Sequence, residues 1–128
     1  MADTLIDTNL LILALRRRPE AIHLLKRLKA AGALHISVVT RTEILAGMHA
    51  SEEGRTMDLL SSLSNLPVDV ASADQAGRWV YTYARRGIQL SVPDAIIAAT
   101  AFAHGLTLVT TNVKHFPMPE VSVQPANL

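Results

Sequence analysis

Cysteine is absent from the 128-residue chain, which excludes disulfides and thiolate metal sites and leads us to expect a cytoplasmic protein. Aromatics are scarce: one Trp, two Tyr and two Phe are too few for a base-stacking platform of the RNA-recognition-motif kind. No excess of either charge exists, since 12 Lys and Arg face 11 Asp and Glu. Bulk electrostatics therefore names no partner, and any nucleic-acid surface has to come from local clusters. No apolar run reaches the roughly 18 residues that a membrane span needs, because Asp7, Arg16 and Asp94 interrupt the candidates. Met1-Ala2-Asp3 has neither the basic start nor the cleavage site of a secretory signal. The six glycines stand apart, so no GxxxxGK or GxGxxG segment offers a nucleotide cradle. The five histidines are scattered without HExxH spacing, which argues against a histidine metal site.

What the chain does have is apolar mass: 49% hydrophobic against 18% charged residues, enough for a packed core and for a single domain over residues 1–128. Thr4-Leu5-Ile6 reads as a strand closed by Asp7-Thr8-Asn9, and a helix is expected over Leu10 to Leu15. Pro19 opens a second helix, with Ala21, Leu24, Leu25 and Leu28 on one face and Gly32 at its end. Leu34 to Val39 is a second strand candidate, Thr40 to Ala50 a helix, and Ser51 begins another that reaches Leu63. Val68 to Val70 is a weak third strand, and Ala76, Val80, Tyr83 and Ala84 line a helix that ends at Gly87. Asp94 to His104 is apolar on nearly every side and rich in Ala, which predicts a helix buried close against a sheet. Leu106 to Thr110 is the fourth strand, and Val121 to Val123 adds an edge strand. Strand–helix alternation of this kind predicts an α/β fold, a three-layer α/β/α arrangement around a parallel sheet of four to five strands. Ligands of open parallel sheets bind beyond the carboxyl ends of the strands.

Those ends carry Asp7-Thr8-Asn9, Thr40-Arg41-Thr42-Glu43 and Thr110-Thr111-Asn112, and Ser91-Val92-Pro93-Asp94 opens the buried helix. If Asp7, Glu43 and Asp94 converge, three like charges require a cation between them. Hard oxygen ligands without thiols favour Mg²⁺, with Mn²⁺ as a substitute, over zinc. Each acid also has a plain local role: Thr40-x-x-Glu43 has the form of a capping box, Ser91-x-x-Asp94 is a second helix start, and Asp7 can cap the first helix. Capping and metal binding are compatible, because a capping carboxylate keeps an oxygen free.

Leu5-Ile6-Asp7-Thr8-Asn9, Thr42-Glu43, Pro93-Asp94-Ala95-Ile96-Ile97-Ala98-Ala99-Thr100-Ala101 and Leu108-Val109-Thr110-Thr111-Asn112 with His115-Phe116 resemble a PIN domain. More narrowly, they resemble the VapC-type toxin ribonucleases of bacterial and archaeal toxin–antitoxin pairs. The resemblance runs from Asp3 to Phe116 in the family's order. It implies a PIN-like fold, cleavage of RNA to a 5′-phosphate and a 3′-hydroxyl, a VapB-like antitoxin partner and a homodimer. It also places Asp7, Glu43 and Asp94 in the acidic Mg²⁺ centre, with Asn112 at a fourth position that is acidic in many PIN domains. Asp7 and Asp94 are then direct ligands. Glu43 is either a third ligand or the group that orients the attacking water. Asn9, Thr110 and Asn112 supply supporting hydrogen bonds.

Other features divide between function and packing. Arg16-Arg17-Arg18 and Arg85-Arg86 either meet RNA phosphates or close helices with favourable charge. Arg41 lies close enough in sequence to Glu43 to offset the acids. Trp79 and Tyr83 suit a core or a dimer contact, Leu59, Leu60 and Leu63 a core or an antitoxin surface, and His115-Phe116 an anchor for the loop after the fourth strand. A non-catalytic PIN-like module that binds RNA or protein is the competing reading, and the presence of all three acids weighs against it. A phospho-acceptor receiver would need a Lys just after a late strand, whereas the three lysines are Lys26, Lys29 and Lys114.

Overall fold

The computed structural model describes residues 3–128. Successive residues of the short strands are buried on opposite faces of the sheet, which sets the architecture. In β1 (Thr4–Ile6), Leu5 faces one apolar cluster and Ile6 the other, and in β4 (Thr107–Thr110) Leu108 and Val109 divide the same way. A strand buried on both faces needs a layer on each side. The two layers are built from α1 (Thr8–Leu15), α2 (Pro19–Ala31), α3 (Val38–Gly47), α4 (Glu53–Ser61), α5 (Val70–Ala84) and α6 (Val92–Ala103). With β2 (Leu34–Ser37), β3 (Ser64–Leu66) and β5 (Val123–Pro125), the strands form one sheet in the order β3-β2-β1-β4-β5. Every pairing is parallel. This is the three-layer α/β/α fold expected from the sequence.

One layer holds Ala21, Leu24 and Leu25 of α2, Leu10 and Leu11 of α1, Ile44 of α3 and Leu60 of α4. The other holds Trp79 and Tyr83 of α5 and the Ala-rich α6, whose Ala95, Ile97, Ala98, Ala99 and Ala101 are all buried. Small side chains let α6 approach both the sheet and α5, as its composition predicts. Trp79 is core, its indole N–H donating to Glu120 Oε2 at 3.3 Å. Tyr83 is core as well, its hydroxyl donating to the Pro117 carbonyl at 3.3 Å.

Several boundaries differ from expectation for identifiable reasons. The third strand is Ser64–Leu66, not Val68–Val70. Pro67 cannot donate to a ladder, and Asp69 caps α5 by accepting the Ser72 N–H at 2.8 Å. Helix α3 starts at Val38 rather than Thr40, because Ser37 at the end of β2 accepts the Val39 N–H at 3.3 Å. The Thr40–Glu43 capping box is therefore not formed. The last strand begins at Val123, while Val121 lies buried in the preceding turn. Pro125 is tolerated because β5 is an edge strand.

Because all five strands are parallel, their carboxyl ends lie along one edge. Chain direction reverses across the sheet between β1 and β4: β1 leads outward to β2 and β3, and the chain then returns to β4 on the other side. That reversal is the switch point at which parallel sheets open a crevice.

Candidate active site

Asp7 sits at the switch point. It follows β1 directly, extends the ladder by donating its N–H to the Val109 carbonyl at 3.0 Å, and caps α1. Its Oδ1 accepts the Thr8 N–H at 2.8 Å and its Oδ2 accepts the Thr110 hydroxyl at 2.6 Å. Thr110 ends β4, so the second bond crosses the β1–β4 boundary. Only 4% of Asp7 is exposed. Burial pushes its carboxyl above the usual aspartate range; the Thr110 and Thr8 hydrogen bonds pull it back, and the charges of Asp94 and Glu43 raise it further. Both of those charges act on Asp7 in the same direction.

Glu43 comes from α3, beyond the carboxyl end of β2, and is half-buried. Its Oε1 accepts from the Thr8 hydroxyl at 2.8 Å, and Thr8 Oγ1 also stands 3.0 Å from the buried Thr40 Oγ1. Glu43 thus reaches across to α1 instead of back to its own helix. Asp94 occupies the first turn of α6, its backbone N–H donating to Ser91 Oγ at 3.2 Å. A 12-residue helix rises about 18 Å, and a short connection joins its far end to β4. The start of α6 consequently returns to the edge that carries Asp7.

Asn112 follows β4 and is half-buried; its backbone N–H donates to Thr110 Oγ1 at 2.9 Å. One Thr110 hydroxyl therefore serves both Asp7 and the loop. Asn9 lies in the first turn of α1, two residues after Asp7, and is exposed. Arg41 pairs with no acid among the described residues; its Nη1 donates to Asn65 Oδ1 of β3 at 3.1 Å. Arg16, Arg17 and Arg18 form the exposed turn between α1 and α2, one full eight-residue helix or about 12 Å from Asp7. Arg85 and Arg86 lie over the rings of Tyr81 and Tyr83, at 3.7 and 4.9 Å from their centroids.

Two contributors escape a sequence reading. Thr8 Oγ1 joins α1 to α3, and Thr100 Oγ1 of α6, which donates to the Ile96 carbonyl at 2.8 Å, stands 3.1 Å from Ser37 Oγ, tying α6 to the end of β2. Thr8 carried a signal in lying between Asp7 and Asn9. Thr100 carried none, since a single hydroxyl in an apolar helix has many uses. The His115-Phe116 pair divides its roles. Phe116 is buried and anchors the loop, whereas His115 lies against the site, its Nδ1 3.4 Å from Asp94 Oδ2.

Among the described residues no three acidic, His or Cys side chains form a ready-made cage for an ion. The donors suit an ion held by one or two carboxylates and completed by water, the habit of Mg²⁺, better than a closed zinc site. Each Asp7 oxygen keeps a lone pair after its hydrogen bond, so capping leaves room for a ligand. An apolar depression of about 330 Å³ lies elsewhere, between α1, α2 and α4. Leu15, Ile22, Leu25, Leu59 and Leu63 line it, with Lys26, Lys29 and Arg55 also lining it.

Comparison with known proteins adds four observations. Residues 4–117 match the PIN domain family. Ribonuclease VapC10 of Mycobacterium tuberculosis is 37% identical over 116 residues, covering 91% of this chain and 87% of that protein. The fold is similar to that of a toxin–antitoxin complex from Klebsiella pneumoniae, with a TM-score of 0.79, 32% identity and coverage of 97% and 98% of the two chains. It is also similar to that of VapBC2 from Rickettsia felis bound to a promoter DNA fragment, with a TM-score of 0.83, 22% identity and coverage of 96% and 98%. At that lower identity the likeness concerns the fold alone.

Proposed function

The chain belongs to the PIN-domain family, among its VapC-type ribonucleases, and from that premise we propose that Asp7, Glu43 and Asp94 are the working acids of a Mg²⁺-dependent endoribonuclease, the toxin of a toxin–antitoxin pair. The observation that carries this reading is the buried Asp7 at the sheet's switch point, pushed up by desolvation and by the charges of Asp94 and Glu43. A structural cap has no need of two further acids beside it, and their repulsion is relieved by a cation.

Hydrolysis of a phosphodiester requires an activated water and compensation for charge that develops on the phosphate. A divalent ion bound here supplies both, as Lewis acid and by lowering the pKa of its water. Asp7 and Asp94 would hold it. The Thr110 hydroxyl and Thr8 N–H fix the Asp7 carboxylate and leave each oxygen a lone pair with which it would bind an ion. Glu43, held through Thr8 Oγ1, would either complete the ligand set through water or orient the attacking water. Asn112 seats the loop beside the acids through its backbone, and Asn9 stands exposed at the rim, where it can meet substrate or ordered water.

The partners follow from the same premise. RNA is the substrate class. An antitoxin segment with apolar anchors and acidic flanks suits the depression between α1, α2 and α4, whose Leu59 and Leu63 are flanked by Lys26, Lys29 and Arg55. A homodimer is supported by the exposure of Tyr81 on α5 and Phe102 on α6, 61% and 47%. The proposed place of action is the cytoplasm; no helix among the described residues is long and apolar enough to cross a membrane. The decisive experiment is cleavage of single-stranded RNA by purified protein with Mg²⁺, with EDTA, and with Asp94→Asn. Cleavage by the wild type alone, abolished by EDTA, supports the reading; cleavage undiminished by EDTA or by Asp94→Asn refutes it.

A further inference from the structure

The three acids are held in different ways. Asp7 is fixed by Thr8 and Thr110, and Glu43 by Thr8 Oγ1. Asp94 projects from the first turn of α6, and among the described residues His115 is the side chain that pairs with its carboxylate, Nδ1 standing 3.4 Å from Oδ2. Nδ1 is the ring nitrogen of His115 that faces this carboxylate. Its Nε2 is left for solvent, and the side chain is 55% exposed.

The position of His115 is not that of a casual surface residue. Thr110 Oγ1 donates to Asp7 and accepts the Asn112 N–H at 2.9 Å. The Asn112 carbonyl accepts the His115 N–H at 3.0 Å, which closes a 3₁₀ turn over Val113–His115. The next residue, Phe116, is buried in the apolar cluster under α5 and α6. The loop is thus pinned at both ends, by a hydroxyl bonded to one acid and by a phenyl ring in the core. His115 stands between these pins, with its Nδ1 3.4 Å from the carboxylate of Asp94.

We propose that His115 is a positioning residue for Asp94, and that the segment Thr110–Phe116 acts as a strap setting the Asp7 and Asp94 carboxylates at the separation an ion requires. This rests on the metal-site reading above and extends it with a residue that is not itself a ligand. Partners that orient ligating side chains alter metal affinity by about 10–100-fold when removed.

The test uses the full chain and two readouts, Mn²⁺ affinity from the electron paramagnetic resonance of free ion and kcat/KM on single-stranded RNA. His115→Ala should weaken Mn²⁺ binding by about tenfold and lower kcat with KM little changed, at an unaltered melting temperature. His115→Asn, whose amide can place an N–H where Nδ1 stood, should recover most of both losses. Wild-type Mn²⁺ affinity in His115→Ala would overturn the proposal, and a rise confined to KM would assign His115 to RNA contact instead. Asp7→Asn and Asp94→Asn separate the premise from the inference. If neither changes Mn²⁺ binding, the metal site fails and His115 with it; if both abolish binding while His115→Ala does not weaken it, only the strap fails.

Discussion

Replacing Thr110 by Val removes one hydroxyl with almost no change of shape, yet that hydroxyl performs two tasks. It donates to Asp7 Oδ2 at 2.6 Å and accepts the Asn112 N–H at 2.9 Å, at a position with no solvent exposure. A hydrogen bond to a charged group contributes about 1.5–3 kcal/mol, and a backbone N–H left without its partner costs roughly 1 kcal/mol more. Water cannot repair the loss at a buried site. The expected destabilisation is about 2–4 kcal/mol, a large share of the roughly 5–15 kcal/mol that holds a domain together. For a chain of this size it corresponds to a fall of about 8–16 °C in melting temperature. Thr110→Ser is the control: it keeps the hydroxyl and loses a methyl group, at about 1 kcal/mol. Urea unfolding followed through the single Trp79 would give both values. Activity should fall further than stability suggests, since Asp7 loses the bond that orients it and that opposes the upward pull of burial. At about pH 3.5, where aspartate is largely protonated in the unfolded chain, the charge-assisted share of the deficit should shrink. A Thr110→Val protein within about 0.5 kcal/mol of wild type, the ordinary range for surface substitutions, would refute the reasoning, as would a Thr110→Ser protein equally impaired.

The remaining expectations concern charge, core and assembly. Asp7→Asn should abolish Mg²⁺-dependent RNA cleavage while stabilising the fold near neutral pH. A carboxyl whose folded pKa is raised binds more protons when folded, so its penalty develops as pH rises through that pKa and vanishes below the unfolded value; denaturation midpoints that show no stabilising advantage at neutral pH, or one that grows on acidification, would contradict this. Leu60→Ala, at a fully buried position in the layer of α1, α2 and α4, should cost about 2–5 kcal/mol, measured by the same unfolding. Arg41→Gln should leave Mn²⁺ affinity unchanged, because its guanidinium is committed to Asn65; a marked change would return Arg41 to the site. Light scattering at micromolar concentration should give about twice 13.8 kDa for the proposed dimer, and a monomer throughout would remove it.

Much of this protein is written locally in its sequence. Strand–helix alternation, the Ala-rich run of α6, Pro19 and Pro93 at helix starts, and Asp7 and Ser91 as caps are properties of short windows, and such windows determine elements through propensity and periodicity. The proposed grouping of Asp7, Glu43 and Asp94 also starts from the sequence, because parallel strands send every strand-to-helix turn to one edge. Neighbours across that edge were not legible. The start of α3 at Val38, capped by Ser37, freed Glu43 from its expected cap and gave it to Thr8, 35 residues away. Ser64-Asn65-Leu66 became a strand despite weak local preference, because β2 offered an open edge for it to pair with. Arg41 faced Asn65, and His115 met Asp94, through the packing of α3 and of the loop after β4. A hydrogen bond between distant residues depends on helix rotation and strand register, which the summed packing of two apolar layers sets and no local stretch of chain encodes.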